Sequence, residues 1–340
     1  MKNKNNLKYV FAVIGILALV FLLVFLPVFV QGVGAGKIAG DVVVPAAVSD
    51  GMRTYLFLGK DRASGLTDVM MLVGVDTAKK KAAVLQIPRD TYAVYAENGY
   101  RKLNGALSLL GADGLCAFLS ESMGVPINGY FVVDLDAFVK AVDMLGGVEI
   151  DIPEGMYYRD DDQGLDIALE SGRQTLDGKA AENFVRYRSG YLRGDLGRID
   201  AQKLFITALL QKVKSTLTPA KAVKLASSLA GDVKTNVSFF ELSELVISSL
   251  DIDDGDILLA TLSGEDVRSG QSGAWFYVLS KSSAKEVVNK LFCTDSEFDK
   301  NGVFRNIQNS DFERIYYSSV EHNAKTLKDI AKNGIEIEKR

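Results

Sequence analysis

An uninterrupted apolar run opens the chain. Tyr9 to Val30 carries no charge over 22 residues, which as a helix would be about 33 Å long at ~1.5 Å per residue. That length matches a bilayer core of roughly 30 Å. Lys2, Lys4 and Lys8 lie before or at its edge with no acid among them. The positive-inside rule keeps that end in the cytoplasm and places the rest of the chain outside. A cleaved signal peptide is the competing reading, but its apolar region usually spans only about 7–15 residues, and Gly34-Ala35-Gly36 is a poor cleavage site. The sequence therefore predicts a cytoplasmic stub over 1–8, a single transmembrane anchor over 9–30 and an extracellular globular part. No second apolar run of that length occurs later in the chain. Residues 31–50, small and irregular, read as a juxtamembrane linker.

The exported part has an ordinary globular composition. Hydrophobic residues make up 48% of the chain and charged residues 24%, which excludes global disorder and a fibrous repeat. The formal net charge is −4, and setting aside the three N-terminal lysines makes the remainder more acidic still. Such a chain has no general attraction for nucleic acid or an anionic membrane surface. An anionic ligand must be held by a local basic cluster. One histidine, His322, and two cysteines, Cys116 and Cys293, are too few for a Cys/His zinc site, a thiol redox motif or a disulfide scaffold. Cys116 sits in the apolar stretch Leu115–Leu119 and reads as a buried free thiol.

Beyond the linker the pattern is α/β. Thr54–Leu58, Val69–Val75 and Ala82–Ile87 are short apolar runs of the kind that form buried strands. Ala112–Met123 has helical spacing and stops at Gly124. Tyr130–Val133 predicts a strand, Leu135–Leu145 a helix ended by Gly146-Gly147, and Val148–Ile152 a strand. Glu154 to Gly172 reads as a loop or small hairpin. Asp177 is placed to cap a helix over Gly178–Val185, and an amphipathic stretch runs from Arg198 to about Lys214. Pro219–Leu229 and Phe239–Leu250 look helical, the latter with Ser238 and Glu241 in capping-box spacing. Ile257–Leu262 and Trp275–Leu279 read as strands. Ser283 and Glu286 repeat the capping box before a helix ending at Phe292. A short helix is expected near Ala324–Ala331. The alternation predicts a mixed central sheet flanked by helices, as one domain over 51–292, with 293–340 as a polar C-terminal extension.

Charge is concentrated in three places. Arg186, Arg188, Arg193 and Arg198 fall within 13 positions of a chain with 14 arginines, and Asp195 alone offsets them there. They bridge two predicted helices through Gly190, Gly194 and Gly197. Arginine forks and exposed backbone N–H groups at such a junction suit phosphate. Pro88-Arg89-Asp90 directly follows a buried strand, where sites on α/β sheets are usually built. Asp61 and Asp68 lie at the end of one strand and the start of the next, and two carboxylates plus substrate phosphate oxygens make a typical Mg²⁺ site. No Gly-x-Ser-x-Gly elbow and no P-loop are present. What remains is chemistry by positioning and charge stabilisation, as in phosphoryl transfer.

These segments, in order, resemble the LytR-CpsA-Psr family. The resemblance is carried by Leu58-Gly59-Lys60-Asp61, Thr67–Val73, Ile87–Thr91 and Lys102–Ala106. It continues through Val142–Val148, Leu176-Asp177-Gly178 with Ala180, Arg186-Tyr187-Arg188, and Gly194–Arg198 followed by Gln202. It implies an α/β phosphotransferase of the bacterial envelope, of Gram-positive type. Such an enzyme moves a glycopolymer such as teichoic acid or capsule from a polyprenyl-pyrophosphate carrier to peptidoglycan through a phosphodiester. By position it implies Asp61 and Asp68 as ligands of Mg²⁺, with Mn²⁺ an alternative. It implies Arg89, Arg186, Arg188, Arg198 and Gln202 as pyrophosphate-binding residues, and Arg89, Asp90, Asp195 and Arg198 as catalytic residues. Asp90 and Asp68 stay open as acceptors of the attacking hydroxyl's proton. An apolar groove for the prenyl tail is expected between sheet and helices. Two positions depart from the family pattern: Leu66 stands where a basic residue often precedes the Thr-Asp pair, and Ala201 where an arginine often precedes the glutamine. A pyrophosphate-cleaving hydrolase and a non-catalytic receptor for lipid-linked polymer are the rival readings.

Overall fold

The computed structural model describes residues 51–61, 65–96, 100–161, 165–216, 228, 232–238, 241, 252–269, 273–304, 312–314, 324–335 and 337. The expected anchor over 9–30, the linker over 31–50, His322 and, apart from Ser228 and Glu241, the two helices expected over Pro219–Leu229 and Phe239–Leu250 lie outside the described residues. The Glu241 amide donates to Ser238 Oγ at 3.3 Å, the capping contact expected there.

Three strands begin the body: β1 (Met52–Lys60), β2 (Thr67–Asp76) and β3 (Lys81–Gln86). They form an antiparallel meander in which Leu56 faces Leu72 and Leu72 faces Leu85. A small hairpin of β4 (Tyr92–Val94) and β5 (Tyr100–Lys102) comes next. Helix α1 (Ala106–Met123) succeeds it, then β6 (Gly129–Asp134) and α2 (Leu135–Met144). Four strands leave the main sheet: β7 (Val148–Ile152), β8 (Met156–Asp160), β9 (Leu165–Leu169) and β10 (Gly172–Leu176), paired as β7 with β10 and β8 with β9. Helices α3 (Gly178–Arg186) and α4 (Asp195–Thr216) carry the arginine-rich junction between them. The chain then supplies β11 (Val233–Thr235), β12 (Ile257–Thr261), β13 (Gly264–Ser269), β14 (Trp275–Leu279), α5 (Lys281–Phe292), β15 (Phe312–Arg314), β16 (Lys325–Thr326) and α6 (Leu327–Asn333).

The central sheet has the order β11-β6-β1-β2-β3-β12-β16. It is mixed, with β6 parallel to β1 and β12 parallel to β3. Both of its faces are covered, so the inner strands read as near-continuous apolar runs instead of alternating. Leu56 and Leu58 point to one side and pack with Leu115 and Leu119 of α1 and Val287 and Leu291 of α5. Tyr55 and Phe57 point to the other, against Ile206 and Leu210 of α4. A further core joins α2, α3 and the β7–β10 strands through Ala141, Phe184, Ile150 and Ile167, with Phe205 of α4 reaching into it.

The structure shifts three expectations and extends one. The helix expected over Ala112–Met123 and ended by Gly124 is present, and a shorter helical stretch from Ala106 precedes it across a kink at Gly111 (φ 70°), the two together forming α1. The stretch 103–123 is long and apolar enough to cross a bilayer, but its Leu115, Leu119 and Met123 are buried in the protein core. Helix α4 starts at Asp195, so Asp195 and Arg198 share its first turn. Ser283 and Glu286 are inside α5, whose N-cap is Ser280; a run of serines offered several caps. The chain after 293 is not set apart as a polar extension. Phe304 is fully buried in the first core, and β16 pairs with β12 at the sheet edge. Its few core residues are spaced too widely among polar ones to show a pattern. Elsewhere Asp177 caps α3 by accepting from the Ala180 amide, and Glu154 to Gly172 contains the β8–β9 hairpin. Cys116 is a buried free thiol and Cys293 an exposed one.

Candidate active site

The end of the sheet where β1 gives way to β2 is the site's floor. Asp61 comes directly after β1 and Asp68 lies at the start of β2, on the same end of the hairpin, where a register shift at Gly59/Lys60 interrupts the ladder. The next strand over ends at Gln86, and the chain turns through Ile87-Pro88 to place Arg89 beside them. The Ile87 amide donates to Met70 O at 2.9 Å and keeps that turn on the sheet.

Helices α3 and α4 bring the other arginines over this floor. Arg186 is the last residue of α3, Arg188 lies in the junction and Arg198 in the first turn of α4. Asp68, Arg89, Arg186, Arg188 and Arg198 line one small polar cavity of about 60 Å³, together with Tyr158 and Leu165 from the β8–β9 hairpin. Five of the residues marked by sequence therefore converge, from segments up to 130 positions apart.

Three of the four arginines are held by carboxylates. Arg89 pairs with Asp68 through Nη1 and with Asp195 through Nε at 3.4 Å. Asp195 also holds Arg198 at 2.9 Å. Arg186 contacts the fully buried Glu182 one turn back at 2.9 Å and Asp61 at 3.7 Å. Arg188 makes no ion pair among the described residues and is exposed at the rim. Burial works against ionisation of Asp195, but Arg198 and Arg89 outweigh it and hold its carboxyl below the usual carboxylate range. Burial likewise opposes the Arg89 charge, and Asp195, Asp68 and Asp90 together still raise its pKa. The arrangement is a preorganised anion site whose positive groups are fixed by their own counter-charges.

Gln202 lies one turn after Arg198 and connects this cavity to a second. Its amide nitrogen donates to Val185 O at 3.1 Å, and its carbonyl accepts from Gln86 Nε2 at 3.3 Å. Gln86 and Gln202 line a narrow junction together with Asp68, Arg89, Asp195 and Arg198. The same two glutamines line an apolar cavity of about 180 Å³. That cavity runs between the sheet (Phe57, Val69, Met71) and helices α2 and α4 (Phe138, Ala141, Phe205, Leu209). It lies where the apolar groove was expected.

Asp90 stands apart. Its carboxylate is held by Lys102 at 3.1 Å, and it is not among the residues lining the polar cavity. Of the two carboxylates expected as proton acceptor, only Asp68 has that position. Arg193 is partly buried and lies 3.7 Å from Asp200. Ala201 is fully buried in the core around Phe205, so the position lacking the family's arginine faces packing. Sequence reasoning missed Tyr158, Leu165, Gln86 and Glu182. The first two sat in a segment read as a loop or small hairpin, and a lone glutamine at the end of an apolar strand gives no signal until its partner is known.

No three of His, Cys, Asp and Glu come together as a metal group among the described residues. Asp61 and Asp68 sit at the same end of the β1–β2 hairpin, each beside an arginine, Arg186 for Asp61 and Arg89 for Asp68.

The match to known proteins covers most of this body. The model of the LytR_cpsA_psr family matches residues 39–292. The chain belongs to that family. It is 28% identical over 247 residues to TagV of Bacillus subtilis, named as a polyisoprenyl-teichoic acid–peptidoglycan teichoic acid transferase, covering 70% of this chain and 63% of TagV. TagU of Oceanobacillus iheyensis, with the same transferase name, is 27% identical over 245 residues, 69% of this chain and 74% of TagU. The regulatory protein MsrR of Staphylococcus aureus is 29% identical over 256 residues, 73% of this chain and 76% of MsrR. The crystal structure of B. subtilis TagV superposes with a TM-score of 0.60 at 26% identity, covering 72% of this chain and 98% of that one. The match spans less than two thirds of TagV's full length, so the family and fold carry over directly while the activity rests on the chemistry of the site.

Proposed function

We propose that this LytR_cpsA_psr protein is a phosphotransferase that moves a glycopolymer from a polyprenyl-pyrophosphate carrier to peptidoglycan, working outside the cell from a single N-terminal anchor. The observation that carries this reading is the junction at Gln86 and Gln202, where an arginine-lined cavity meets an apolar one. A polyprenyl pyrophosphate has that same division: a strongly anionic head and a hydrocarbon tail. The names of TagV and TagU, which describe transfer of polyisoprenyl-linked teichoic acid to peptidoglycan, support the choice of substrate class.

In this reading Arg89, Arg186, Arg188 and Arg198 hold the pyrophosphate oxygens, and Asp195 keeps Arg89 and Arg198 aimed at them. Gln202 holds the neck where head and tail meet. A hydroxyl of the peptidoglycan sugar attacks the phosphorus nearer the donor sugar, and the bond to the polyprenyl phosphate breaks. Charge accumulates on the departing phosphate, where fixed guanidinium groups stabilise it most. Asp61 and Asp68 would hold Mg²⁺, or Mn²⁺ in its place. Such an ion would supply the positive charge that these two carboxylates otherwise take from Arg186 and Arg89.

The test is transfer from a synthetic polyprenyl-pyrophosphoryl sugar to a peptidoglycan oligosaccharide by the purified full chain. The expected result is a phosphodiester-linked product that requires acceptor, is lost on chelation and returns with Mg²⁺ or Mn²⁺. Release of sugar phosphate with acceptor present and no adduct would make the protein a hydrolase. Binding without turnover would make it a receptor. Activity untouched by chelation would remove the cation from the reading and leave the arginines.

A further inference from the structure

The polar cavity has two unlike walls. Asp68, Arg89, Arg186, Arg188 and Arg198 are all charged and come from β2, the turn after β3, the end of α3, the junction after it and the start of α4. Tyr158 and Leu165 are uncharged and come from the β8–β9 hairpin, which has no ladder to the central sheet. An anion needs only the first wall.

The hairpin's own geometry decides what its wall presents. Along β8, Met156, Tyr158 and Asp160 share a face, and Tyr158 lies opposite Ile167 of β9. Met156 and Ile167 are buried in the core shared with α3, while Tyr158 is only partly buried at the edge of that core. The hairpin is fixed to α3 by Asn183, whose side-chain amide donates to Asp166 O at 3.1 Å. The Tyr158 hydroxyl donates to Asp160 Oδ2 at 3.1 Å. What remains for the cavity is the aromatic ring. Tyr157, its neighbour on the opposite face, is turned to solvent and bound to Glu170 at 2.7 Å.

We propose that Tyr158 packs its ring against the first sugar of the donor, making the β8–β9 hairpin the wall that reads the sugar end of the lipid-linked substrate. This deepens the transferase reading and rests on it. In such a donor the sugar is bonded directly to the pyrophosphate, so once the arginines hold the phosphates the ring must lie in or at the mouth of the same cavity. A pyranose presents C–H groups on its faces, and an aromatic side chain offers them apolar contact at little conformational cost. Leu165 completes the apolar strip. Tyr158 is thus a specificity-determining residue, and its role is separable from that of the arginines because it touches the sugar and they touch the phosphates.

The experiment is equilibrium binding, without acceptor, of two probes to the full chain in detergent: geranylgeranyl pyrophosphate, and the same lipid carrying N-acetylglucosamine on its pyrophosphate. In Tyr158→Ala, affinity for the sugar-bearing probe should fall about tenfold while affinity for the sugarless one stays within about twofold. Tyr158→Phe, which keeps the ring, should bind both like the wild type and shows that the hairpin tolerates change. Equal losses for both probes in Tyr158→Ala would make the ring a prop for the arginines and overturn the proposal. So would unchanged binding of both, or a Tyr158→Phe variant as impaired as Tyr158→Ala. Wild-type protein that binds neither probe would remove the pyrophosphate reading itself, whereas the other adverse outcomes leave that reading in place.

Discussion

Arg198 concentrates the chemistry of the site in one side chain. It is 5% exposed, lies one turn from Asp195 on α4 and lines both the polar cavity and the junction to the apolar one. Lysine at this position keeps the charge and loses the planar fork that can serve a carboxylate and a phosphate at once. Loss of one preorganised donor typically costs roughly 10²–10³ in rate. Arg198→Lys is therefore expected to lose about that much transfer activity while still binding the lipid-linked donor. Arg193→Lys is the comparison: Arg193 lies outside both cavities' lining, 3.7 Å from Asp200, and should stay near wild type in the same assay. Equal activity of the two variants would remove the Arg198 fork from the transfer step. At this scale the sequence was readable where charge was dense. Four arginines in one short segment, and a charged pair at a strand end, already implied an anion site. Tyr158 was not readable, because an isolated tyrosine in a polar hairpin has no periodicity or charge to set it apart. Only the fold shows which cavity it borders.

The elements most easily foreseen were those whose pattern had one cause. The strands β1 to β3 are apolar because both faces are buried, and α2 and α3 carry their stop and cap signals in Gly146-Gly147 and Asp177. Elements held by tertiary docking were harder to place. Strand β13 is one of these, although its partner β14 was foreseen over Trp275–Leu279. Tyr277 of β14 donates its amide to Asp90 O at 2.8 Å, tying the hairpin to the turn that carries Arg89. Opposite Tyr277 on β13 is Asp266. Burial, with Asp195 and Asp90 nearby, pushes its carboxyl up to about 8, against the opposing pull of Arg193 and Lys102. Between about pH 4 and pH 8 the folded protein thus holds a proton on Asp266 that the unfolded chain, with an ordinary carboxylate near 3.9, releases. Its contribution to stability is fully present below pH ~4 and is lost as pH rises through about 8. Asp266→Asn, neutral at every pH, should remove this loss. Its thermal midpoint should exceed that of the wild type by several degrees at pH 8.5, with the gap closing towards pH 4.5. A gap of the same size at both pH values would mean that Asp266 stays ionised in the folded protein.

At the scale of the whole molecule, the family match ends at residue 292, yet the fold does not. Phe304 is fully buried with Leu119 and Tyr277 in the first core, and its amide donates to Asp299 Oδ1 at 3.0 Å. Val94 of β4 donates its amide to Val303 O at 2.8 Å, so the later chain also braces the small hairpin that supplies Lys102. Further along, Leu327 and Ile330 of α6 are buried against Leu259 of β12 and Leu210 of α4, and β16 adds the last strand of the sheet beside β12. Helix α4 is the same helix that holds Asp195, Arg198 and Gln202, so the tail and the site lean on one element. Burying a large apolar side chain stabilises by about 1.5–3 kcal/mol, and removing three of them leaves exposed core on both faces of the sheet. That sum is comparable to the whole stability of an ordinary domain, about 5–15 kcal/mol. A chain cut after Phe292 is therefore expected not to fold cooperatively, even though it retains nearly every residue that marks the family. The measurement is thermal unfolding of two soluble forms that both start at Gly51, one ending at Phe292 and one at Arg340. The longer form should give a single sharp transition. The shorter should give a broad or absent one and should bind a hydrophobic dye before heating. A sharp transition in both, at similar temperatures, would show that the residues after 292 pack on a body already complete without them.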